Sequence, residues 1–183
     1  MSLAQLDGIA FGAGPGSFTG LRVACGAAQG LAVASDLPML PVGSLAAMAW
    51  GAQAPQVLVA LDARMGEVYW GRYARSTDTV TALADDQVLP PPAVLAALPT
   101  LDDGPWLACG NGLTAYPELA ERLAAMGVPM QPNISPDAAL VAALAAPALA
   151  RGEGIDPALA APVYVRDKVA LTVVERLARG GKA

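Results

Sequence analysis

The stretch from Gly8 to Ser35, GIAFGAGPGSFTGLRVACGAAQGLAVAS, limits the choice of fold more than any other part of the chain. A short apolar run enters a group of glycines, and a long run of small apolar residues follows. That order reads as a buried strand over 8–14, a tight turn, and a helix over 17–35. Ser17 or Thr19 caps the helix, because a hydroxyl satisfies a free N–H of the first turn. Gly26 and Gly30 inside the helix each cost about 1 kcal/mol against Ala, which points to a surface where something packs closely.

The glycines fit none of the common phosphate or nucleophile motifs. A Walker loop needs Lys and a hydroxyl after its last glycine, and here Gly20 precedes Leu21 and Arg22. GxGxxG fails because Ser17 stands where the third glycine belongs, and GxSxG fails because Pro15 and Thr19 flank Ser17. Gly14, Gly16, Ser17 and Gly20 still put N–H groups and a hydroxyl at a helix start, an arrangement that favours an anion. A plain β-to-α turn accounts for the same residues.

The 183 residues contain no histidine. Ser-His-Asp and Cys-His nucleophile systems and His-ligated metal sites are therefore excluded, and no metal is expected. Hydrophobic residues make up 55% and charged residues 15%, so the expectation is a packed globule of one domain or two small lobes. The net charge is −5 and the eleven basic residues are scattered, a poor basis for binding nucleic acid alone. Cys25 and Cys109 form no CxxC pair and read as reduced, buried thiols of a cytoplasmic protein. No apolar window of about 18 residues suggests a membrane span, and the start does not read as a signal peptide.

After the opening unit, 37–43 reads as a strand and 44–52 as a Ser-capped helix, giving β-α-β-α. A lobe boundary is expected near 54–56, dividing the chain into 1–54, the remainder of an N-terminal lobe, and 55–183, a C-terminal lobe. Residues 57–63 and 67–74 form a hairpin through Arg64-Met65-Gly66, and 79–89 is expected as a third strand of the meander. Helices are expected from 91, over 116–127, and over 135–152, the last with Ser135 as its cap and Pro147 ending or kinking it. Residues 105–112 read as a strand entering the Gly-rich turn CGNG. The tail from 161 is expected to hold a short strand and a basic cluster. Glu67 reads as a solvated strand residue, and Trp50, Trp70 and Trp106 as packing residues. The whole is α/β.

GPGSFTGLRVACGAAQGLA, then LPMLPVGSLAAMA, ALDARMGEVYWGRY and PVYVRDKVALT, in that order, resemble the TsaB (YeaZ) family of the glycoprotease-like group. The resemblance runs from about Asp7 to Thr172. It implies an α/β two-lobe fold of the actin, sugar-kinase and heat-shock ATPase type, each lobe built on a ribonuclease-H-like sheet. The family pattern opens with a strand, a hairpin and a helix ahead of GPGSFTG, so a first lobe without those elements is expected to expose a sheet edge. The tail from about 165 is expected to return to that lobe.

The resemblance also implies a function. It is that of a noncatalytic partner and stabiliser of TsaD in threonylcarbamoyl transfer to the adenosine beside the tRNA anticodon. A TsaE-like ATPase is the further partner, and tRNA is met only through the complex. No cofactor is expected for the chain itself, with ATP or ADP admitted in the complex, and self-pairing through the partner surface would give a homodimer. The partner surface falls on Phe18, Thr19, Leu21, Arg22, Ala24, Cys25, Ala28 and Gln29. A cleft or nucleotide site falls on Gly14, Gly16, Ser17, Gly20, Asp62 and Arg64. A partner or RNA contact falls on Tyr164, Arg166 and Lys168. Two other readings remain open: a nucleotide-binding ATPase or kinase of the actin-like superfamily and, with less support, a glycoprotease-like hydrolase.

Overall fold

The computed structural model describes residues 3–98 and 104–166. After a 3-10 turn at Leu3–Gln5, strand β1 (Ile9–Gly14) leads through the glycine turn into helix α1 (Phe18–Ser35). Ser17 is the N-cap, its hydroxyl oxygen accepting the Gly20 N–H at 3.3 Å. The helix ends where Asp36 turns left-handed at φ 52°, and the Leu37 N–H returns to the Ala32 carbonyl at 3.0 Å. Strand β2 (Met39–Gly43) then lies parallel to β1, as a crossover through a helix permits. Among the described residues β1 pairs with β2 alone, in register from Ile9 opposite Met39 to Gly12 opposite Val42.

Helix α2 (Ser44–Ala52) connects to the second sheet. There β3 (Gln56–Arg64) and β4 (Glu67–Arg75) form the expected antiparallel hairpin. The short strands β5 (Val80–Ala82) and β6 (Gln87–Leu89) both pair with β4, and helix α3 (Pro91–Ala96) follows. Strand β7 (Trp106–Cys109) joins β3 in parallel, followed by helices α4 (Gly112–Ala115) and α5 (Pro117–Ala125). Strand β8 (Met130–Gln131) completes the order β5-β4-β3-β7-β8, and helix α6 (Ala138–Ala150) closes the regular structure.

The molecule is layered. One face of β1–β2 packs under α1 through Phe11, Ala13, Cys25, Ala28 and Ala32. The other face, with Val42, meets Ala47 of α2 and Val141 and Ala145 of α6. On β3 the period-two alternation divides the core: Val57 and Val59 face Leu45, Met48 and Ala49 of α2, while Leu58 and Ala60 face Val94, Leu113, Leu119 and Leu123 on α3–α5. Both faces of β3 are thus covered, which is why VLVAL is apolar without a break. Cys109 lies on the α2 side, fully buried, with its sulfur 4.0 Å from the Met48 carbonyl.

Several expectations need correction. The third strand of the meander is two strands, broken at residues 83–86. There the Asp86 side chain turns in to accept the Tyr73 hydroxyl at 2.5 Å, beneath Gly71, where a Cβ would lie 2.6 Å from Asp86 Oδ1. Asp137 caps α6 instead of Ser135, accepting the Ala139 N–H at 2.6 Å. Pro147 does not end α6, which runs to Ala150 and so keeps only about one further turn beyond the proline. The tail forms no strand within 160–166; one backbone bond, from the Val163 N–H to the Ala13 carbonyl at 2.7 Å, ties it to the end of β1.

Candidate functional site

A groove of about 1020 Å³ opens beside β1. One side of α1 from Phe18 to Leu31 forms one wall, the end of the β3–β4 hairpin another, and the start of α6 with residues 163–166 the rest. It brings together residues far apart in sequence. Gly16 and Ser17 line it from the glycine turn, Phe18, Gly20, Leu21, Ala24 and Ala28 from α1, Asp62 and Arg64 from the hairpin, and Tyr164 and Arg166 from the tail. Gly14, Thr19, Arg22, Cys25 and Gln29 lie off its wall. Lys168 lies outside the described residues.

The hairpin end is a polar knot. Its turn puts Arg64, Met65 and Gly66 at φ 62°, 57° and 76°. The Asp62 N–H donates to Asn111 Oδ1 at 2.9 Å, and Asp62 Oδ1 accepts the Arg64 N–H at 2.8 Å. The Tyr116 hydroxyl lies 3.1 Å from Asp62 Oδ1 and 3.0 Å from the Glu67 carbonyl. Arg64 Nη1 meets Asp62 Oδ2 at 3.0 Å; its side chain is 86% exposed and that of Asp62 11%. Partial burial and then the Asp62 hydrogen bond push the Tyr116 hydroxyl above its usual range. The Asp62 carboxylate is therefore engaged from both oxygens. That suits a structural clamp better than a metal ligand.

Glu67 is not the solvated strand residue that was expected. Arg166 Nη2 contacts Glu67 Oε2 at 2.6 Å and the Ala63 carbonyl at 3.0 Å. The guanidinium stands 5.8 Å from the centre of the Tyr69 ring. The tail is held at the other end too. Gln29 Nε2 donates to the Pro157 and Ala160 carbonyls at 2.9 and 3.1 Å, and the Cys25 thiol lies 3.6 Å from the Ala160 carbonyl. Of the surface residues predicted on α1, Cys25 and Gln29 thus serve an intramolecular contact.

A third cluster stands on the outer face. Arg22 Nε donates to the Tyr164 hydroxyl at 2.9 Å, and its Cζ lies 3.7 Å over the centre of the Phe18 ring. The Phe18 and Tyr164 rings are 5.6 Å apart, and both side chains remain substantially exposed. Farther along α1, Val23, Leu31 and Val33 are exposed, and a Cβ at Gly26 or Gly30 would meet nothing within 4 Å. Only Leu21, Cys25, Ala28 and Ala32 of the helix are buried.

Sequence reasoning gave no role to Asn111, Tyr116 or Asp137 and read Glu67 as solvated. Signals existed for Asn111, an amide between two glycines where a strand ends, and for Asp137, a residue type favoured at helix N-caps. Tyr116 and Glu67 depend on pairing between segments distant in sequence, while Asp137 is a local cap displaced from the expected one at Ser135. Trp70 and Trp106 are buried, as expected, and Trp50 carries the Arg75 guanidinium 4.1 Å above its ring.

The family model described as TsaD, tRNA N6-adenosine threonylcarbamoyltransferase, matches residues 1–172. The chain is 36% identical over 175 residues to the tRNA threonylcarbamoyladenosine biosynthesis protein TsaB of Escherichia coli K12, covering 92% of this chain and 74% of that relative. It is 53% identical over 79 residues to the protein of the same name from Haemophilus influenzae, covering 41% of this chain and 34% of that relative. A solved structure described as YeaZ from Pseudomonas aeruginosa superposes with a TM-score of 0.76 at 40% identity, over 89% of this chain and 76% of that one. A second, from the same organism and described as having similarity to peptidase YEAZ, gives 0.77 at 39% identity over 90% and 76%.

Proposed function

Because this chain belongs to the TsaB (YeaZ) family, with the α/β actin-like, ribonuclease-H-like fold expected of it, we propose that it acts in tRNA threonylcarbamoyladenosine biosynthesis as a noncatalytic partner of a TsaD-like subunit. The observation that carries this reading is the outer face of α1. An 18-residue helix buries four residues and leaves Phe18, Val23, Leu31 and Val33 exposed among glycines and alanines, with Arg22 as its only charge. Small side chains without charge let a partner backbone approach closely and desolvate at little cost.

Under this reading Phe18, Thr19, Arg22 and Ala24 contact the partner, together with Tyr164. Leu21, Cys25 and Ala28 support the helix from beneath. A TsaE-like ATPase joins the same assembly, tRNA is held by the complex, and any ATP or ADP belongs there as well. The same face offers a route to a homodimer when the partner is absent. A cytoplasmic setting accords with this work, and no described helix is long and apolar enough to cross a membrane.

The test is co-purification with the TsaD-like protein of the same source. Ala27→Glu places a charge on the exposed face and should abolish capture while moving the melting temperature by no more than a degree or two, since exposed substitutions change stability by about 0.5 kcal/mol or less. Equal capture of wild type and variant, or of neither, would overturn the proposal.

The groove favours a second reading, nucleotide binding, because it unites Gly16, Ser17 and Gly20 with Asp62 and Arg64. Magnesium-dependent ATP turnover that falls in Asp62→Asn would support it. The engagement of both Asp62 oxygens by Tyr116 and Arg64 argues for the first reading.

A further inference from the structure

The segment from Ala160 to Arg166 is held at three places that belong to different parts of the fold. Its start is buried under α1, where the Cys25 thiol and Gln29 amide reach the Ala160 carbonyl. Its middle bonds to the end of β1 through the Val163 N–H and touches α1 through Tyr164. Its end locks into the β3–β4 hairpin through Arg166, whose side chain is only 14% exposed. No regular structure stiffens the path between these anchors. Gly14 lies where the path crosses β1; a Cβ there would stand 2.5 Å from the Val163 carbonyl oxygen.

We propose that residues 160–166 form a strap that couples the β3–β4 hairpin to the outer face of α1. Glu67 is its latch, and Tyr164 is the point where the Phe18–Arg22 cluster senses whether the latch is closed. The physical reason is geometric. Only Val165 separates Tyr164 from Arg166, so a guanidinium fixed against Glu67 and the Ala63 carbonyl leaves the Tyr164 ring little freedom. Releasing Arg166 leaves only the Tyr164 hydroxyl bond and the packing of Val165 against the α2-side core to hold the strap beyond Val163, so its α1 side loosens as well. By reciprocity, whatever immobilises Tyr164 against α1 strengthens the latch.

The test uses nitrogen-15 spectra of the whole chain. Arg22 Nε–H donates to the Tyr164 hydroxyl and the guanidinium lies over the Phe18 ring, so its signal should be ring-current shifted and its exchange with solvent slower than in a free chain. Glu67→Gln keeps the side-chain shape and removes the charge. The expected result is exchange of Arg22 Nε–H and of the Val163 amide faster by about tenfold or more, with the Arg22 signal moving toward its free-chain position. The core amides of Val57 and Val59 should stay within about twofold of wild type. If Glu67→Gln does not fold, Arg166→Lys, which keeps the charge but loses the forked contact, should give the same pattern more weakly. Exchange at Arg22 and Val163 unchanged in a folded variant would overturn the proposal, because the anchors would then act independently.

Discussion

Gly14 stands at φ 121°, a backbone state that L side chains rarely adopt, and the Val163 carbonyl occupies the space a Cβ would need. Gly14→Ala should therefore destabilise the fold by about 1–3 kcal/mol, read as a lower denaturation midpoint, with the loss concentrated in protection of residues 160–166. Asp86 poses a different problem. Burial is the main reason its carboxyl is raised above the ordinary aspartate range, with Asp85 adding to the shift and the Tyr73 hydroxyl opposing it. A raised acid binds its proton more tightly folded than unfolded. Its contribution to stability is therefore greatest in acid and is lost as pH rises from the ordinary aspartate value through the raised one. Asp86→Asn keeps an acceptor for Tyr73 and cannot ionise. Its melting temperature relative to wild type should climb as pH rises above about 4, the ordinary aspartate value, and level off once the raised carboxyl has ionised. A pH-independent difference would mean that Asp86 titrates alike in both states.

At the scale of elements, α6 gives a direct contest between two caps. Asp137→Ala should cost about 1 kcal/mol in thermal or denaturant unfolding, and Ser135→Ala close to nothing, because only Asp137 meets a first-turn N–H. The sequence carried the class of nearly every element here, since hydrophobic period and turn residues are local. The β1–α1 unit, the β3–β4 hairpin and the Pro-started helices are all legible in that way. What was not legible is non-local. The break between β5 and β6 follows from the reach of Asp86 to Tyr73 across the sheet. The choice of Asp137 over Ser135 is a local exception, a helix start displaced by two residues. Glu67 read as solvated because its partner, Arg166, lies 99 positions away. The groove residues were nameable in part, since Gly16, Ser17, Asp62 and Arg64 sit at strand and helix ends. Their clamp, Tyr116 and Asn111, belongs to a helical turn and a loop that no periodicity links to β3.

At the scale of the molecule, the shared middle layer governs behaviour. Helix α2 reaches the β1–β2 sheet through Ala47 and the second sheet through Leu45, Met48 and Ala49, while Gly51 lies against Leu140 of α6. Neither sheet can lose this layer without exposing its own core. Heating should therefore give one transition with equal calorimetric and van't Hoff enthalpies. Ala47→Leu, at a fully buried site, should lower that single midpoint by overpacking, at a cost of about 1–3 kcal/mol, without splitting it. The two thiols occupy this architecture unequally. Cys109 lies inside the second sheet's core, and burial pushes its thiol up to about 12, so the reactive thiolate is scarce at neutral pH until the core opens. Cys25 sits at the edge of the α1–β1 layer against the strap at Ala160, so it should be reached when that segment and the near side of α1 open, with the second sheet's core still closed. Alkylation of an untouched sample thus runs as two clocks, one set by local lifting at Cys25 and a far slower one at Cys109 set by loss of the fold.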